Sequence, residues 1–324
     1  MKPYYADDGV TLHHGKSLEI LRTLPDKSVN SCVTSPPYFG LRDYGEEGQY
    51  GLEATPAEYV ENMRRVFAEV RRVIADDGTL WLNIGDKYAN SAGSGQQGST
   101  GQRADRAFTA SSIAPCRALP TKNLLGIPWR VAFALQDDGW ILRSDIIWAK
   151  RNLKPESVTD RPTTAHEYVF LFAKRPRYWY DADAISEESD PEQVAHNQRY
   201  AREYEGHTAR AATTGQPGNV NNVGIHSRPG KDRRNARSVW PISAQPFPEA
   251  HFAVMPPQLA ERCVLAGCKP GGIVLDPFSG SGTTGMVAQR LGRKYVGIDL
   301  NRDYLDLSLR TRLRQAALDF GEVS

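Results

Sequence analysis

The segment from Ile273 to Asp299 constrains the fold of this chain more than any other. Ile273 to Leu275 reads as a strand, and Asp276-Pro-Phe-Ser-Gly-Ser-Gly-Thr-Thr284 follows it as a turn. Gly285 to Leu291 then reads as a helix, and Lys294 to Ile298 as the next strand. Strand, glycine turn, helix, strand is the building unit of a mainly parallel α/β sheet. Gly280, Gly282 and Gly285 spell Gly-x-Gly-x-x-Gly at its centre. Glycines let the backbone turn tightly and let a ligand approach where a Cβ would block it. Asp299 closes the second strand, where an acid accepts hydrogen bonds from ribose hydroxyls. The unit therefore predicts a site for a nucleoside-containing cofactor. No Gly-Lys-Ser/Thr follows, so a phosphate-cradling loop is disfavoured, while a nicotinamide dinucleotide satisfies the pattern as well.

The same alternation runs upstream. Val10 to His13 and Val29 to Thr34 read as strands around a short helix at Leu18 to Leu24. Pro56 to Ile74 is an amphipathic helix, with Tyr59, Met63, Val66, Phe67, Val70, Val73 and Ile74 at helical spacing and Asp77-Gly78 as its stop. A strand at Thr79 to Ile84, a helix at Pro128 to Leu135 and strands at Trp140 to Trp148 and Glu167 to Ala173 follow, with Lys174 to Tyr180 extending the sheet as a hairpin. Gln258 to Gly267 and Arg302 to Leu318 read as helices.

Two stretches break this order. Residues 90–120, rich in Ser, Gly, Gln and Thr, read as a mobile loop. Ser186 to about Pro241 has no regular apolar period. Residues 181–192 carry six acids and no base, whereas residues 193–240 carry eight bases against three acids. Tyr, His, Asn and Gln interleave with those bases, a mixture that pairs with phosphates and base edges.

At 324 residues the chain exceeds a typical single domain, which predicts one large core plus a smaller region. Its 40% hydrophobic and 24% charged residues argue against disorder of the whole. No apolar run approaches a membrane span, and the polar start with Asp7 and Asp8 does not suit a secretory signal. Cys32, Cys116, Cys263 and Cys268 lack Cys-x-x-Cys spacing, so reduced thiols in a cytoplasmic protein are expected, with no metal and no disulfide framework.

Thr34-Ser-Pro-Pro-Tyr38 ends a strand with a forced turn, since Pro36 and Pro37 cannot continue a ladder. Chemistry in open α/β sheets sits at such strand ends. The two prolines remove backbone donors and leave carbonyls that can only accept. Acceptors suit a substrate that donates, such as an amino group, and an aromatic ring can stack on a base taken out of a helix.

Taken together, these motifs resemble those of amino-methylating DNA methyltransferases. Asp276 to Thr284 resembles the family's cofactor motif, and Thr34 to Tyr38 its catalytic motif in the serine form. The catalytic motif comes first and the cofactor motif last, which resembles the permuted beta class. Asp43-Tyr44-Gly45, Leu82 to Asp86, Ile147 to Lys150, and His251-Phe-Ala through Pro256-Pro257 fall in that group's order.

The resemblance implies a Rossmann-like, mostly parallel, seven-stranded methyltransferase sheet with helices on both faces, plus a small irregular target-recognition region. Residues 1–185 would form the catalytic half, 186–241 the recognition region and 242–324 the cofactor half. S-adenosyl-L-methionine would be the cofactor. Phe278, Gly280 and Gly282 would line its methionine end, with Asp276, Pro277, Thr283, Thr284 and Phe252 alongside, and Asp299 would hold the ribose. Ser35 and the Pro36 carbonyl would hold the target amino group next to Pro37, and Tyr38 would stack on the flipped base. Trp148 is either a second wall of the base pocket or a core tryptophan. Arg228, Lys231, Arg233, Arg234 and Arg237 are the DNA-contact candidates.

A serine at the head of the motif goes, in this family, with cytosine-N4 in double-stranded DNA, and an acid or Asn with adenine-N6. A restriction-modification system, with its endonuclease as a partner, or a phage or orphan enzyme would both suit, as would a monomer or a homodimer. One position departs from the pattern. The family has Gly-Asp-Ser near its start, and this chain has Gly15-Lys16-Ser17. The rival readings are a nicotinamide-dependent oxidoreductase, an RNA or protein methyltransferase, and a DNA-binding protein with a decayed site.

Overall fold

The computed structural model describes residues 2–89, 119–153, 155–190, 192, 194–195, 233–245, 247 and 254–314. The chain divides into two compact units, Met1–Asp181 with Ser238–Ser324, and Ala182–Arg237.

The first unit is built on strands β1 (Tyr5–Ala6), β2 (Val10–His14), β3 (Val29–Thr34), β4 (Ile74–Ile84), β5 (Ile141–Lys150) and β6 (His166–Ala173). The second unit holds the short antiparallel pair β7 (Glu187–Glu188) and β8 (Arg233–Arg234). The first resumes with β9 (Val239–Ile242), β10 (Ile273–Asp276) and β11 (Lys294–Asp299). Its sheet runs β1-β2-β11-β10-β3-β4-β6-β5-β9. From β2 to β4 the neighbours are parallel, and β6 then runs antiparallel to both β4 and β5.

The expected seven strands are thus nine among the described residues, in a mixed sheet. The two extra strands are short edges, β1 and β9. β9 escapes a reading by apolar runs because only Trp240 and Ile242 of its four residues are buried. Pro241, which cannot donate to a ladder, is tolerated because β9 lies at the sheet's edge.

Helices cover both faces. The helix α1 (Ser17–Leu21) follows β2, and α2 (Pro56–Val73) precedes β4. At the start of α2 the Thr55 side chain accepts from the Glu58 amide at 3.2 Å, and Pro56 supplies a pre-set φ. One stripe of α2, Tyr59, Met63, Val66, Phe67, Val70 and Val73, packs with Leu80 and Leu82 of β4 in the main core. Residues of opposite parity on β4 face the other layer. There Thr79 donates to the Gly267 carbonyl of α4 (Pro257–Gly267) at 3.1 Å, after the intervening α3 (Ile127–Asp137). A Cβ on Gly267 would lie 2.0 Å from Trp81 Nε1, so this helix end seats directly on the indole.

Several expected boundaries shift. The helix α2 ends at Val73, one residue before the expected Ile74, and β4 begins at Ile74 rather than at Thr79, because Ile74 already pairs with Val29 and Asp77-Gly78 lies inside β4 beside a register shift. Lys174 to Tyr180 adds no strand; Pro176 lacks a donor, and Trp179 bonds only the Asp77 carbonyl at 2.8 Å. After α5 (Thr283–Arg290), the closing helix α6 (Arg302–Ser308) passes into a π-helical turn at Leu309–Leu313, and the end of the expected helix lies outside the described residues. The 90–120 loop falls almost wholly outside the described residues.

Candidate active site

The parallel pairing of β3 and β10 sets Val274 against Ser31 and Leu275 against Cys32. Both strands therefore end side by side, and the two motifs leave the sheet at the same edge. Thr34 and Asp276 meet there, the hydroxyl donating to the carboxylate at 2.6 Å. The Phe278 amide donates to the same oxygen at 3.0 Å. Burial pushes the Asp276 carboxyl up to about 6 despite these donors.

A cavity of 1030 Å³ opens above this junction. Ser35, Pro36, Pro37 and Tyr38 line one side, and Asp276, Pro277, Phe278, Gly280, Thr283, Thr284 and Asp299 line another. Phe252, Arg228 and Lys231 lie outside the described residues.

The glycine turn is shaped for close approach. Gly280 and Gly282 adopt φ of +50° and +77°, a region that side chains other than hydrogen disfavour. Gly282 does not line the cavity; a Cβ there would sit 2.8 Å from Ser308 Cβ, so it serves the packing of α5 on α6. Asp299 accepts from the Gly280 amide at 2.6 Å and from the Asn301 amide at 2.8 Å. Burial raises its carboxyl to about 6 as well. Tyr44 and Tyr304, edge to face at 6.2 Å, line the cavity beside it. Lys16 lines the same wall, and its neighbour Ser17 donates to the Pro277 carbonyl at 2.6 Å.

These residues fit a nucleoside cofactor on two counts. A half-buried carboxylate with spare lone pairs, Asp299, faces the cavity, and the turn leaves backbone open where a Cβ would intrude.

The Ser-Pro-Pro-Tyr turn is held from several sides. The Pro37 carbonyl accepts from Tyr59 OH at 2.9 Å, and the Tyr38 carbonyl from the Leu41 amide at 3.2 Å. The Pro36 carbonyl has no partner among the described residues. The Tyr38 ring lies against Gly85, where a Cβ would approach Tyr38 Cε2 to 2.7 Å. Its hydroxyl donates to Glu167 at 2.6 Å and accepts from Ser35 at 3.3 Å. Burial first, then the Glu167 charge, hold the phenol well above its usual range.

Trp148, expected either to wall a base pocket or to sit in the core, is a buried residue that also lines the cavity. It is 4% exposed and donates to the Ile242 carbonyl at 2.9 Å, yet part of it reaches the cavity wall.

A DNA methylase family, N6_N4_Mtase, matches residues 29–310. The chain belongs to this family. Type II methyltransferases are among its relatives: M.Cfr9I of Citrobacter freundii is 43% identical over 302 residues, covering 93% of this chain and 87% of the relative. M.XycI of Xanthomonas campestris pv. cyanopsidis is 45% identical over 300 residues, covering 93% and 86%. Among solved structures, the PvuII DNA methyltransferase (cytosine-N4-specific) superposes with a TM-score of 0.62 at 19% identity, covering 98% of this chain and 93% of that one. A Thermus thermophilus protein in complex with S-adenosyl-L-methionine reaches 0.57 at 22% identity, covering 94% and 93%. The methyl donor of this DNA methylase is thus S-adenosyl-L-methionine, and the nicotinamide reading of the glycine turn falls away.

The candidate site contains residues to which motif reading gave no role, although Asn83 and Lys150 lie in segments that follow the family's order. Asn83 of β4 and Glu167 of β6 meet the Tyr38 hydroxyl from adjacent strands, and Lys150 of β5 pairs with Glu167 behind it. The one signal in the sequence was Asn83, a polar residue within an otherwise apolar strand. Glu167 and Lys150 sit at strand ends, where charged residues are ordinary. In the second unit, Arg233 donates to the Ser186 hydroxyl at 2.7 Å, and Arg237 and Arg234 approach Glu187 at 3.0 and 3.8 Å. Part of the acidic run thus neutralises the basic one.

Proposed function

We propose that this DNA methylase transfers a methyl group to the N4 amino group of cytosine in double-stranded DNA, on a base flipped into the 1030 Å³ cavity. The observation that carries this reading is the pair of acceptors at the turn. Ser35 Oγ and the unpartnered Pro36 carbonyl lie on the same cavity as the Gly280 and Asp299 wall. The resemblance of the serine-headed motif to cytosine-N4 enzymes supports the choice of base, as does the fold shared with the PvuII enzyme.

An exocyclic amino group is a poor nucleophile because its lone pair is delocalised into the ring. Two acceptors drawing on its hydrogens favour a tetrahedral nitrogen and localise that pair. Held facing an electrophilic methyl group, the nitrogen would attack directly, much of the barrier being met by orientation and preorganised dipoles. Phe278 and Gly280 would bind the methionine end of S-adenosylmethionine and Asp299 the ribose; bound there, the cofactor supplies an electrophilic methyl group. Trp148 would wall the base. The 182–237 unit, with Arg233, Arg234 and Arg237, would contact the target duplex, and the chain's motif order would make it a permuted, beta-class enzyme.

Methylation of mixed-sequence DNA, followed by mass spectrometry of the digested nucleosides, tests the reading. N4-methylcytosine is the expected product; N6-methyladenine alone would overturn the choice of base.

A further inference from the structure

The reaction leaves a proton to dispose of. As the carbon–sulfur bond breaks and the nitrogen–carbon bond forms, the amino nitrogen becomes cationic, and one of its hydrogens must leave within a closed pocket. Ser35 touches that hydrogen in the reading above but is no base at neutral pH. The hydrogen bonds beyond Ser35 show where the proton can go.

Ser35 Oγ donates to Tyr38 OH at 3.3 Å, and Tyr38 OH donates to Glu167 Oε2 at 2.6 Å. A phenol has one proton. The contact to Asn83 Oδ1 is longer, at 3.3 Å, so Glu167 takes it. Asn83 cannot serve as a base, and its amide protons go to Glu167 at 3.1 Å and the Tyr168 carbonyl at 3.1 Å. Lys150 holds the other carboxylate oxygen of Glu167 at 2.5 Å, in a pair whose side chains are 27% and 15% exposed. Asp276, another carboxylate of the cavity, is turned toward Thr34 and the Phe278 amide and shares no hydrogen bond with Ser35.

We propose that Ser35, Tyr38 and Glu167 form a proton relay, with Glu167 as its terminal acceptor. The nitrogen–hydrogen bond breaks as Ser35 Oγ takes that proton, the serine's own proton passes to Tyr38, and the phenolic proton passes to Glu167. The net change is one bond broken at nitrogen and one formed at Glu167, which neutralises the cation and the carboxylate together. Tyr38 stays neutral throughout, so its raised affinity for its proton is no obstacle. Asn83 and Lys150 are positioning residues that aim the carboxylate, and Lys150 opens the far end of the relay toward solvent.

This inference rests on amino-group methylation but not on which base is methylated. The test therefore measures the single-turnover rate of total methyl transfer from labelled S-adenosylmethionine to DNA, with the nucleoside product identified separately. Glu167→Gln keeps the size of the side chain and an acceptor for Tyr38 but cannot take the proton. Tyr38→Phe keeps the ring and removes the link. Each is expected to lower the rate by about 10²-fold, the lower range for general acid–base catalysis. Cofactor affinity should be unchanged and Glu167→Asp should recover part of the rate. The double variant should be no slower than the slower single one, because both cut the same chain. A wild-type rate in Glu167→Gln, or losses that multiply in the double variant, would overturn the relay. A product other than N4-methylcytosine would overturn the base assignment and leave the relay to be judged on the same rates.

Discussion

The Thr34 hydroxyl donates to Asp276 at 2.6 Å, joining residues 242 positions apart. It ties the end of the strand that carries the Ser-Pro-Pro-Tyr turn to the end of the strand that carries the glycine turn. Removing that donor leaves a buried carboxylate short of a partner. Thr34→Val is expected to destabilise the protein by about 1–3 kcal/mol, the desolvation cost of such a group. The loss should be larger at pH 8, where Asp276 is ionised, than at pH 5, below its raised value of about 6. Urea denaturation at both pH values checks this.

Gly85 leaves room for the Tyr38 ring. An added methyl group would stand 2.7 Å from Tyr38 Cε2 and displace the ring from Ser35 and Glu167. Gly85→Ala is expected to lower turnover by about 10²-fold, the effect of an ångström-scale misplacement. Steady-state kinetics, with cofactor binding measured alongside, would show a loss in kcat and an unchanged cofactor affinity.

With Asp299 on the ribose, as proposed, cofactor binding is expected to depend on pH. Burial raises its carboxyl to about 6, so it is protonated below that pH and presents fewer acceptor lone pairs to ribose hydroxyls. Affinity for S-adenosylmethionine should weaken as pH falls from 7 to 5, and Asp299→Asn should flatten that trend. Folding of the cofactor-free protein responds in the opposite sense. A folded-state value above the unfolded 3.8 makes the contribution of Asp299 greatest below about pH 4, and lost as pH rises through 6. Calorimetric titration and thermal melts across this range measure the two effects separately.

Replacing Arg233, Arg234 and Arg237 by Ala should weaken DNA binding and reduce the steepness of its salt dependence. Each lost phosphate contact lowers the slope of log K against log salt by about 0.9. Arg234 and Arg237 also approach Glu187, so Glu187→Gln should release them and steepen the slope. Fluorescence anisotropy over a salt series reads both changes, and an unchanged slope in the triple variant would remove these arginines from the interface.

Local chemistry made much of this protein legible in its sequence. Two prolines after Thr34 force a turn whatever surrounds them, and Gly280 and Gly282 adopt positive φ where the pattern demanded it. The stripe from Tyr59 to Val73 is buried as its spacing predicts, because a period of 3.6 residues leaves one face to the core. Where local signals compete, tertiary pairing decided. Ile74 left its helix because Val29 offered it a ladder partner, and β9 joined the sheet through β5 despite its proline and its two exposed residues. The Tyr38, Asn83, Glu167 and Lys150 network was invisible for the same reason. Its members lie on the Ser-Pro-Pro-Tyr turn and three separate strands, none at a diagnostic spacing, and only the order β4-β6-β5 sets Asn83 and Glu167 on the phenol with Lys150 on Glu167. Sequence by itself determined the turns, the helix faces and the two halves of the site; the sheet's strand order decided which charged groups stand behind Ser35, because contacts across strands depend on register and not on distance along the chain.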